Sequence, residues 1–77
     1  MVDGPSDTIY ITVPTASLDA AITELNNRDG KALYPAAWRV LTTESDRRRD
    51  AQGVAAAFGI ARDKFEELPP KVKELLS

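Results

Sequence analysis

The chain has 77 residues, with 10 Lys and Arg against 12 Asp and Glu and 43% hydrophobic residues, a size and balance that fit one small domain. It has no His and no Cys, which excludes a disulfide framework, a thiol nucleophile and a zinc–thiolate site, and removes the commonest general base. Without such staples a single core of this size is marginal, so tight helix packing or a partner subunit is expected.

Residues 1–30 carry one basic residue, Arg28, and five acids, whereas residues 31–77 carry nine basic and seven acidic residues. The C-terminal part is thus mildly basic, although the overall pI of about 5.0 lies well below the basic signature of most nucleic-acid domains. The longest uncharged apolar run, 54–61, falls far short of the roughly 20 residues of a membrane span. The acidic start at 1–7 lacks the basic residues of a signal peptide, so a cytoplasmic protein is expected.

Residues 1–7 offer nothing to bury and read as a flexible N-terminus, leaving 8–77 as the single domain. From Thr8, the residues Ile9, Ile11 and Val13 alternate with Thr8, Tyr10 and Thr12, the period of a half-buried strand that Pro14 stops. Such a strand needs a partner, and left unpaired it invites a second copy or another protein. Over 16–28, Leu18, Ile22 and Leu25 share one helical face, with Thr15 or Ser17 available as cap and Gly30 suited to the left-handed residue after the helix.

Pro35 suits the first turn of a helix reaching about Thr42, with Tyr34, Trp38 and Leu41 on one face. Val40, Thr42 and Thr43 also suit a strand, so residues 36–43 are open between the two. Tyr34 and Trp38 read as core residues, or alternatively as an exposed protein-binding anchor. Thr43–Asp46 reads as a loop and cap before a helix over 46–58 that buries Ala51, Val54, Ala55 and Phe58. Gly59 breaks that helix, a short helix follows over 61–68, Pro69 and Pro70 stop it, and Val72, Leu75 and Leu76 face inward from a final turn or two. The fold class expected is mainly α, a small helical domain with one short N-terminal β-strand, the alternative being a small α+β layer.

The stretch from Val54 to Leu68 resembles the core of a helix-turn-helix DNA-binding motif. Ala55 stands where that motif has its small residue, Phe58, Gly59 and Ile60 where it has its turn, and Phe65 and Leu68 where it anchors the second helix. The resemblance spans residues 51–68 and implies a hairpin over 46–68. It also implies that the exposed residues of the second helix meet DNA: Ala61, Arg62, Asp63, Glu66 and Glu67, with Lys64 nearer the backbone. Three of those are acidic, which leaves Arg62 as the groove reader.

The run Arg47, Arg48 and Arg49 adds candidate phosphate contacts. Successive helical residues lie about 100° apart, so the three cannot share a direction, and Asp46 and Asp50 flank them. Catalysis finds no support, because Ser17 and Ser45 lack a histidine, the glycines form no phosphate loop, and Glu66 and Glu67 diverge around a helix.

The expected function is therefore a non-enzymatic, homodimeric DNA-binding or transcription-regulating protein, with Arg47, Arg48, Arg49, Arg62 and Lys64 at the DNA. It uses no cofactor, metal, membrane or small-molecule substrate. The alternative is a small phage or bacterial adaptor or inhibitor that binds a host protein and not DNA. Charge placement discriminates: one continuous positive face favours DNA, and interspersed acids favour a protein.

Overall fold

The computed structural model describes residues 7–52 and 57–77. Within them five helices and a two-stranded antiparallel sheet make a mainly α domain. Residues 1–6 of the expected flexible N-terminus lie outside the described residues, as do Gly53, Val54 and Ala55 of the expected hairpin. No helix among the described residues is long and apolar enough to cross a membrane.

Strand β1, Thr8–Ile11, forms where Ile9 and Ile11 alternate with Thr8 and Tyr10. Helix α1, Thr15–Asn27, buries Leu18, Ala21 and Leu25 completely, a stripe at steps of three and four that faces the core. Its cap position is Pro14, whose carbonyl accepts from Leu18 N at 3.1 Å, and no side chain caps the helix. Thr15 and Ser17, expected as caps, stand inside the helix, Thr15 as its first residue.

After α1 the left-handed residue is Asp29 at φ 58°, not Gly30. Gly30 instead opens the short helix α2, Gly30–Leu33, where a Cβ would lie 2.7 Å from both Cβ and O of Leu25. The glycine is there for close approach to the end of α1, and aspartate is one of the residues that tolerates the left-handed region.

Helix α3 runs unbroken over Pro35–Asp50, with Pro35 in its first turn. Residues 36–43 are thus helix and not strand, and the loop expected at 43–46 is not formed. The helix continues because its buried face continues. Ala37 and Leu41 are followed at steps of three and four by Glu44 and Arg48, which are 3% and 2% exposed. Their charges satisfy each other, so two charged residues hold core positions that an apolar pattern cannot reveal. The helix ends near Gln52, at φ 62°, instead of running on to Phe58.

The residues expected to close one helix, turn at Gly59 and start the next form strand β2, Phe58–Ala61. Phe58 and Ile60 are buried while Gly59 and Ala61 face outward, a period of two in place of a helical one. β2 supplies the partner that β1 needs, pairing Ile9 with Ile60 and Ile11 with Phe58. The second helix expected over 61–68 is reduced to α4, Arg62–Glu66, entered from a strand and not from a helical turn. Helix α5, Pro70–Leu75, then buries Val72 against α1, with Leu76 closing the core behind it. Tyr34 and Trp38 are half-buried and packed on this core, and Trp38 Nε1 donates to Asn26 Oδ1 at 2.9 Å.

Candidate interaction surface

The three arginines of α3 have three different environments. Arg48 is inside the protein: its Nε donates to Glu44 Oε2 at 3.0 Å and its Nη1 to the Val13 carbonyl at 2.6 Å. The guanidinium carbon lies 5.9 Å from the Phe58 ring centroid. This side chain ties α3 to the link between β1 and α1 and to β2. At 2% exposure it cannot reach a phosphate outside the protein, so the expected DNA contact does not apply to Arg48.

Arg47 and Arg49 are exposed but each has a carboxylate partner, Glu44 Oε1 at 2.9 Å and Asp46 Oδ1 at 3.0 Å. Lys64 reaches Glu67 at 3.5 Å. Arg62 is exposed, and its amide donates to the Asp7 carbonyl at 2.7 Å; its guanidinium makes no ion pair among the described residues. Arg47, Arg49 and Lys64 are therefore interleaved with acids; the two exposed pairs, Arg49–Asp46 and Lys64–Glu67, are worth under about 1 kcal/mol each, and the acids interrupt a positive face at these residues.

A groove of about 670 Å³ runs between α1 and α3 past Asp19, Ser45, Asp46 and Arg49. Its polar groups largely engage one another, with Ser45 Oγ donating to Asp19 Oδ1 at 3.1 Å and Arg49 to Asp46. A hydroxyl held only by an exposed carboxylate has none of the base-and-orienter arrangement that activates a nucleophile.

The sheet presents a different kind of surface. The Arg62 amide bond to Asp7 fixes the phase of the ladder, because residues 7 and 62 oppose each other in the same register that pairs Thr8 with Ala61. In an antiparallel pair, hydrogen-bonded and non-hydrogen-bonded positions alternate. Ile9 and Ile11 therefore exchange their backbone bonds with Ile60 and Phe58. Thr8 and Tyr10 point their N–H and C=O groups away from β2, along the outer edge of β1. Among the described residues no other segment forms a strand beside that edge.

The side chains sharpen the picture. Tyr10 is 75% exposed, one of two large hydrophobic residues left outside among the described residues, the other being Leu33. Its ring lies over Gly59, so close that a Cβ there would meet Tyr10 Cε1 at 3.2 Å and Thr8 Cγ2 at 3.1 Å. Thr8, Tyr10, Gly59 and Ala61 make an open, uncharged sheet face that ends in an open strand edge. The alternation at 8–13 carried this signal in the sequence; the exposure of Tyr10 emerges only once the core has chosen the isoleucine side.

No protein-family model matches the chain, and neither a curated protein nor a solved structure matches it.

Proposed function

We propose that this chain is a small non-enzymatic interaction protein, of the adaptor or inhibitor kind, that takes a partner's strand onto the outer edge of β1. The observation that carries this reading is the open edge at Thr8 and Tyr10 with the exposed Tyr10 ring beside it. An edge of this kind supplies affinity through main-chain hydrogen bonds, and an aromatic side chain next to it gives a rigid contact at low entropy cost. Natural proteins usually blunt such an edge with lysine, proline or a covering element, and β1 carries no charge and no proline.

The DNA reading draws less from the same molecule. Its hairpin is replaced by a strand and a five-residue helix, Arg48 is buried, and Arg47, Arg49 and Lys64 have acidic neighbours.

Photocrosslinking separates the two. The chain is prepared with benzoyl-phenylalanine replacing Tyr10, or replacing the exposed Glu66 as control, and irradiated in a lysate of its source cells. Adducts are mapped by mass spectrometry. The reading requires an adduct from position 10, absent from position 66, that joins an extended segment of an identified protein. Absence of that adduct overturns the reading, and salt-sensitive binding of the wild-type chain to random-sequence duplex DNA at micromolar concentration then favours DNA.

A further inference from the structure

We infer that the strand taken up by β1 is β1 of a second copy, in a two-fold arrangement centred on Tyr10. This inference rests on the edge-pairing reading above and names its partner. The outward-facing positions of β1 are Thr8 and Tyr10; Thr12, exposed and one residue past the end of the strand, is the next outward position if pairing extends β1 by that residue. An antiparallel copy placed with Tyr10 opposite Tyr10 sets Thr8 opposite Thr12 on both sides of the axis. All three outward residues of each copy then find partners, giving about six ladder hydrogen bonds. A slip of two residues in either direction keeps only about four, so the Tyr10-centred register is the one the edge favours.

Charge supports the same partner. Residues 8–13 hold no charged side chain, so self-pairing sets no like charges against each other, while a charged foreign strand finds no counter-charge along the edge. The pairs formed are Tyr with Tyr and Thr with Thr, both among the favourable cross-strand combinations. A ladder of about six backbone hydrogen bonds belongs with the weak, reversible class of interface. The product is a continuous sheet in the order β2, β1, β1 of the second copy, β2 of the second copy, with the two Tyr10 rings adjacent at its centre.

The test is sedimentation equilibrium of the full chain from 5 to 500 µM, run as wild type, Tyr10→Glu, Tyr10→Lys and Thr8→Pro, with far-ultraviolet circular dichroism on each. The wild type is expected to convert from monomer to dimer within that range. Tyr10→Glu and Tyr10→Lys each place like charges face to face on the axis and are expected to be monomeric at low salt. An equimolar mixture of the two restores the dimer, because the axis then holds opposite charges. Thr8→Pro removes an outward amide that β2 does not use, and is expected to weaken the dimer at least tenfold while keeping the helical spectrum.

A wild-type chain monomeric throughout overturns the inference, as does a dimer that survives in all three variants or a charge-reversed pair that fails to recombine. The photocrosslink at position 10 tells which reading has failed. An adduct to a different protein with a monomeric wild type removes self-pairing alone, and no adduct of either kind removes edge pairing altogether.

Discussion

Replacing Arg48 with alanine is expected to cost the fold about 3–5 kcal/mol, the range found when one partner of a buried ion pair is removed. The structure shows why the value belongs at that level and not at that of a surface pair. Arg48 and Glu44 are 2% and 3% exposed, and Arg48 additionally donates to the Val13 carbonyl at 2.6 Å. Truncation leaves that carbonyl short of its donor, opens the space of the guanidinium beside Phe58, and leaves Glu44 with the exposed Arg47 as its one ion-pair partner among the described residues. A domain of this length has a total stability of about 4–12 kcal/mol, so the loss removes from about a quarter to all of it. Urea denaturation followed by the fluorescence of the single tryptophan, Trp38, measures the loss directly. Arg49→Ala is the internal reference, since its pair with Asp46 is 76% and 73% exposed and should contribute under about 0.5 kcal/mol. A loss below about 1 kcal/mol for Arg48→Ala would refute the argument, because it would place the buried pair in the energy class of solvent-exposed ones. The double variant Arg48→Met with Glu44→Leu removes both charges together and is expected to recover most of the stability.

The two glycines that meet neighbours closely should respond differently to alanine. Gly30→Ala drives a Cβ onto the backbone oxygen and Cβ of Leu25 at 2.7 Å and is expected to cost about 1–3 kcal/mol in urea titration. Gly59→Ala meets the Tyr10 ring and the Thr8 methyl, which can rotate into solvent, so its unfolding free energy should change by less than about 1 kcal/mol. Leu18→Ala, at a fully buried position of α1, should lose about 2–5 kcal/mol by thermal or urea unfolding. If Leu18→Ala and Gly59→Ala proved equally mild, the assignment of α1 to the centre of the core would be wrong.

The elements most legible in the sequence are those whose buried face is apolar. Leu18, Ile22 and Leu25 announce α1, Pro35 announces the start of α3, and Val72 with Leu76 announces α5, each by helical spacing. Where a core position is charged, the pattern goes silent. Glu44 and Arg48 continue the stripe begun by Ala37 and Leu41, but polar letters there suggest a loop. The misread strand has a similar origin, because four residues, Phe58–Ala61, are too few to separate a period of two from a helical turn. What decides the matter is distant in sequence: β1 has backbone groups to satisfy, and residues 58–61 provide them. Of the candidate surface, the strand and its polar side are legible at 8–12, whereas the separation of the arginines into buried and exposed requires the packing of α3.

The arginine triplet links these points to function. Because helical residues turn by about 100° each, one of three consecutive arginines was bound to be directed differently from the others, and the structure turns Arg48 inward. A helix that spends its central arginine on holding β1, α1 and β2 together has less charge for a polyanion, and the arginines on either side are drawn to Glu44 and Asp46. The same contact constrains the edge, since the Val13 carbonyl held by Arg48 lies two residues beyond the end of β1. Arg48 therefore fixes the C-terminal exit of the strand whose outer edge is proposed to pair. It follows that Arg48→Ala should reduce pairing at Tyr10 as well as stability, whereas Arg49→Ala should change neither. A DNA-binding protein that used Arg49 at a phosphate would differ in that second variant by weaker, salt-dependent DNA binding at the same unchanged stability.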